Sequence, residues 1–104
     1  MSFRRYEIIL PKRYNDGSEI EPEKFLLTSR ELTQRFGAVS FLPETFRGIW
    51  LREGREYQDE NVRVFVDVED TEENQSFFAE YKARLMERFK QLDLWIVSFE
   101  IRIT

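Results

Sequence analysis

Between Val62 and Val68 apolar and polar positions alternate. Val62, Val64, Val66 and Val68 point one way and Arg63, Phe65 and Asp67 the other. A period of two is the mark of a β-strand with one face on a core. A second run, Gly48 to Arg52, is rich in Ile and Trp, and Gly54-Arg55 and the polar Gln58-Asp59-Glu60-Asn61 stretch separate the two. This predicts a long central hairpin with a long or bulged connection.

The same reading covers the rest of the chain. Arg4 to Leu10 alternates, with Tyr6, Ile8 and Leu10 on one face, and Pro11 ends that strand. Lys12 to Glu21 is a loop turning at Asn15-Asp16-Gly17-Ser18. Pro22 opens a helix that runs to Phe36 and stops at Gly37; Phe25, Ser29, Leu32 and Phe36 form its apolar stripe, and Leu27 lies on the opposite side. Ala38–Leu42 and Gly48–Arg52 read as two pieces of one strand bent around Pro43. Asp70-Thr71-Glu72-Glu73 has the form of a capping box, with Asp70 as the cap of a helix reaching about Gln91. Phe78, Tyr81, Leu85, Phe89 and Leu92 are its expected buried stripe, with Phe77 and Met86 on the flanks. Leu94 to Ile103 is the last strand; Trp95, Val97, Phe99 and Ile101 alternate with Leu94, Ile96, Ser98 and Glu100.

The order is βαββαβ in a single domain spanning residues 1–104. Two right-handed strand–helix–strand halves interleave into a four-stranded antiparallel sheet with both helices on one face, the α+β, ferredoxin-like plan. Arg35-Phe36-Gly37, then Gly48-Ile49-Trp50, an acidic loop into the Val-rich strand, and Tyr81-Lys82 through Arg88-Phe89-Lys90-Gln91 run along nearly the whole chain. In this succession it resembles a family of small, uncharacterised bacterial proteins. The resemblance implies a ferredoxin-like fold and transfers no catalytic residue.

Composition narrows the chemistry. The chain has no Cys and no His, which excludes disulfides, thiolate nucleophiles, cysteine zinc sites, Ser-His-Asp triads and histidine bases. Ten Phe, four Tyr and two Trp in 104 residues predict a core built on large rings. A net charge of −4 disfavours nucleic acid and anionic membrane as partners. No apolar run is long enough to span a bilayer and no leader pattern precedes the first strand, so the expected location is cytoplasmic. Asp16, Glu19, Glu21 and Glu23 lack calcium-loop spacing and read as a solvated turn, so no metal and no cofactor is expected.

Two surfaces are candidates for function. On the sheet face away from the helices the pattern places Ile9, Phe65 and Ile96 on three neighbouring strands among Arg5, Glu7, Arg63, Asp67, Leu94 and Glu100. Such a stripe marks a contact surface, with a homodimer as the expected assembly. RNA recognition is the lesser reading of that face, because Arg63 to Asp67 lacks the Gly and second aromatic of the RNA-binding strand motif. On the hairpin, Arg47, Trp50, Tyr57 and Glu60, with Arg52 close by, combine rings with both charge signs. Cross-strand packing is the first reading of that group; the second is a grip on a small planar or anionic ligand. The function expected is a non-enzymatic, self-associating interaction or small-ligand-binding module. The alternative is a cofactor-free enzyme of the dimeric α+β-barrel type, its chemistry falling to Tyr57, Glu60 and Arg47; no catalytic residue is assigned.

Overall fold

The computed structural model describes residues 1–104. The elements are β1 (Phe3–Pro11), α1 (Pro22–Phe36), β2 (Ser40–Arg52), β3 (Arg55–Glu69), α2 (Glu72–Arg88) and β4 (Trp95–Ile101). The strands form one antiparallel sheet in the order β2-β3-β1-β4. This is the ferredoxin-like arrangement, with β1 and β3 at the centre and the core on one side only.

That core follows from the alternation. Tyr6, Ile8 and Leu10 of β1 and Val62, Val64, Val66 and Val68 of β3 are buried with Leu32 of α1 and Phe78, Tyr81 and Leu85 of α2. Large rings fill the layer between sheet and helices: Tyr6 stacks on Phe78 at 3.9 Å, and Phe78 stacks in turn on Phe36 at 5.5 Å. Such ring pairs contribute about 0.5–1.5 kcal/mol each beyond their burial.

Pro22 opens α1, and Gly37, in the left-handed region at φ 84°, closes it by donating its N–H to the Thr33 carbonyl at 2.8 Å. The cap of α2 is not the expected one. Thr71, not Asp70, accepts from the Asn74 N–H at 3.1 Å, while Asp70 is held by Arg4 Nε at 3.0 Å. Helix α2 also stops at Arg88, earlier than Gln91, because Lys90 turns to φ 53°. Leu92 therefore leaves the stripe and is exposed.

The hairpin is tighter than its sequence suggested. Glu53 and Gly54, at φ 53° and 76°, form a two-residue turn closed by the Arg52–Arg55 pair. The polar Gln58–Asn61 stretch is not a connection but part of β3. β2 is one bent strand, as the two pieces implied, with a bulge between Leu42 and Phe46. β1 last meets β3 where the Lys12 N–H donates to the Glu60 carbonyl, so the hairpin continues alone as a two-stranded arm of about 20 Å.

Candidate functional site

The face of the sheet opposite the helices has no element over it. Residues on it follow from the register. Ile9 is opposite Arg63 and Trp95, Glu7 opposite Phe65 and Val97, and Arg5 opposite Asp67 and Phe99. Ile9 and Phe65 thus lie where the alternation placed them. Ile96 does not. It pairs with Ile8, whose side chain is fully buried, and packs against the core on the helix side. The phase of β4 is set by Leu94, which is 3% exposed and closes the core just past α2. Trp95, Val97 and Phe99 are thereby turned outward, at 67%, 37% and 45% exposure. Alternation fixes which residues of a strand travel together, not which set meets the core.

The charges on this face are paired with one another. Arg5 Nε and Nη2 donate to both oxygens of Asp67 at 2.8 and 3.0 Å, and the same guanidinium lies 4.2 Å above the Phe65 ring. The Asp67 hydrogen bonds push the Arg5 pKa above its usual value. Arg63 lies 4.0 Å from Glu7 and over the Phe46 ring. What the face offers is a surface whose central charges cancel in pairs, with Glu69 at its margin and rings at its middle and edge.

The hairpin group is taken apart by the register. Trp50 and Tyr57 are cross-strand partners stacked at 4.4 Å, and the indole N–H donates to Asp59 Oδ2 at 2.7 Å. They share the open-face side of the arm. Arg47 and Glu60, also opposite each other, lie on its other side. The four residues therefore enclose no common site.

A cluster absent from the sequence reading joins the helices. Glu31 of α1 accepts from the Tyr81 hydroxyl at 2.9 Å and lies 2.7 Å from Arg88 Nη1, which also donates to Thr28 Oγ1 at 2.8 Å. Thr28 Oγ1 donates to the Lys24 carbonyl, and Lys24 Nζ donates to the Arg88 carbonyl and the Tyr14 hydroxyl. Burial, and next the hydrogen bond to Glu31, push the Tyr81 hydroxyl far above its usual pKa. Burial works against the Glu31 carboxylate, yet Arg88, Tyr81 and Arg84 outweigh it and hold its pKa low. The available signal was the spacing of Tyr81, Arg84 and Arg88 on one side of α2.

Asp16 accepts from the backbone N–H of Ser18 within its own turn, and no three Asp or Glu side chains converge as metal ligands. No helix is long and apolar enough to cross a membrane.

No family model matches the sequence, and no curated protein matches it. Solved structures do share the fold. The chain is similar to the divalent cation tolerance protein CutA1 of Thermus thermophilus at 15% identity and a TM-score of 0.66, over 98% of this chain and 86% of that one. It is similar to a phage SAM lyase in complex with S-methyl-5′-thioadenosine at 16% identity and a TM-score of 0.66, over 98% and 90%. The B. subtilis GlnK–ATP complex gives 17% identity and a TM-score of 0.64, over 96% and 82%. At these identities the likeness is one of fold. A cation-tolerance protein, a lyase and an ATP-bound protein on one scaffold do not select a function for a fourth.

Proposed function

We propose that this chain is a non-enzymatic, self-associating module, and that copies bind one another through the open face of the sheet. The outward phase of β4 carries this assignment, because it adds Trp95, Val97 and Phe99 to Ile9 and Phe65 on one continuous surface. At their observed exposures these side chains present roughly 300–400 Å² of apolar area per copy. Covering it contributes about 8–10 kcal/mol per copy at ~25 cal/mol per Å². Two copies supply that twice, against an association cost of about 4–15 kcal/mol. The internal Arg5–Asp67 and Arg63–Glu7 pairs cancel at the centre of the face and leave only Glu69 at its margin, so a like face, itself apolar at the centre, is the fitting occupant. A homodimer is the smallest such assembly. The enzyme alternative has no observation in its favour, since Tyr57 lies across the arm from Arg47 and Glu60.

Light scattering on the wild type, Phe99→Lys and Leu27→Lys tests this. The wild type and Leu27→Lys, the latter altered on the exposed outer side of α1, are expected to share one oligomeric mass, and Phe99→Lys to run as a folded monomer. A wild type that stays monomeric at high micromolar concentration refutes the proposal.

A further inference from the structure

The outward side of the two helices forms a concavity of about 340 Å³ lined by Glu31, Gln34 and Arg35 of α1 and Phe77, Tyr81 and Arg84 of α2. Two rings lie beneath it, the part-exposed Phe77 and the fully buried Tyr81, stacked at 5.1 Å. The Arg35 guanidinium lies 4.2 Å above the Phe77 ring, and that of Arg84 lies 5.6 Å from the Tyr81 ring.

These two arginines differ from others on the molecule. Arg4, Arg5 and Arg88 each donate formed hydrogen bonds to a carboxylate or hydroxyl. Arg35 and Arg84 have only distant counter-ions, Glu73 and Glu31, each at 3.8 Å. Glu73 is 85% exposed, and Glu31 is already engaged by Arg88 at 2.7 Å. The lining itself carries two guanidinium groups and one carboxylate, which leaves it positive on a chain whose net charge is −4. Arg35 and Arg84 line one space from two helices, each with its guanidinium beside an aromatic ring.

We propose that this inter-helix concavity is a binding site for a small organic phosphate, whose oxygens the Arg35 and Arg84 forks take while its carbon body rests against the exposed part of Phe77. Guanidinium forks match phosphate oxygens in pairs, and a ring-backed guanidinium loses little freedom on binding. The volume lies at the lower end of small-molecule sites, which limits the ligand to about one ring and one phosphate.

Two-dimensional amide NMR of the full chain, titrated with phenyl phosphate, inorganic phosphate and phenol, tests the proposal. Phenyl phosphate is expected to give saturable shifts confined to residues 31–35 and 77–84. Inorganic phosphate should shift the same residues more weakly, and phenol should leave them unmoved. Arg35→Gln and Arg84→Gln should each weaken phenyl phosphate at least tenfold while the rest of the spectrum stays native. Because both side chains are substantially exposed, the variants are expected to fold; a non-native spectrum is replaced by the Lys variant, which keeps the charge, loses the fork and should weaken binding. Shifts that do not saturate, that map elsewhere, or that are equal in the wild type and the folded variants overturn the proposal. Equal shifts from phenyl phosphate and inorganic phosphate overturn the organic part of it.

Discussion

Glu31→Gln keeps the shape of the inter-helix cluster and removes its negative charge. The Arg88 side chain beside it is 11% exposed and depends on Glu31 as its counter-ion, at 2.7 Å. Breaking a fully buried pair from one side costs about 3–5 kcal/mol. Glu31 retains 27% exposure, so solvent replaces part of the lost interaction and roughly 2 kcal/mol is expected. That is a large share of a small domain's stability of about 5–15 kcal/mol. Urea unfolding followed by circular dichroism at pH 7 reads the loss directly. The pH dependence supplies the internal control. The native carboxyl sits below its ordinary value of 4.5, so the unfolded chain binds the proton more tightly. Its contribution is complete above 4.5 and drains away as pH falls through the lower native value. The gap between wild type and variant should therefore be constant from pH 6 to 8 and close in acid. A gap under about 0.5 kcal/mol at pH 7, or one that persists undiminished to pH 3, refutes the account.

Thr71→Ala should cost about 1 kcal/mol in urea unfolding through loss of the α2 cap, while Asp70→Asn, which loses only the charge facing Arg4, should cost less. Ile96→Asp should be strongly destabilising in thermal melts and Trp95→Asp tolerated, because the two side chains lie on opposite sides of β4; the reverse order would restore the phase expected from sequence. Trp50→Ala should cost the arm about 1 kcal/mol, read as faster amide hydrogen exchange across residues 47–60 with the β1 and β3 core amides unchanged.

The elements and the topology were legible because their signals are local and agree with one another. Pro22 and Gly37 bound α1, four valines in alternation mark β3, and Pro43 marks the bend of β2. Where the reading failed, the deciding contact lies far off in sequence. Both faces of β4 carry apolar side chains, so only Leu94 packing against the core could set its phase. The Arg4–Asp70 pair spans 66 residues and takes Asp70 away from the helix it precedes. Arg47, Trp50, Tyr57 and Glu60 are neighbours in composition, but strand register sends them to two sides. Thr28 is fully buried yet polar, and its partner Arg88 lies 60 residues on, so no helical periodicity in α1 predicts it.

The bulge in β2 imposes a rule on chain length. Three residues, Pro43 to Thr45, stand opposite the single Val62, and the excess of two is even. Leu42, Phe46 and Trp50 consequently stay on the same side of the sheet although they flank an irregularity. Deleting or inserting one residue between Leu42 and Phe46 would transpose every side chain of the outer strand of the arm, sending Trp50 to the side that Arg47 now occupies and parting it from Tyr57 and Asp59. Changes of two residues would preserve the pattern. Pro43 itself is tolerated because it lies in the bulge of an edge strand, where it has no partner on β3. Viable natural variants of this segment should therefore differ in length by even steps.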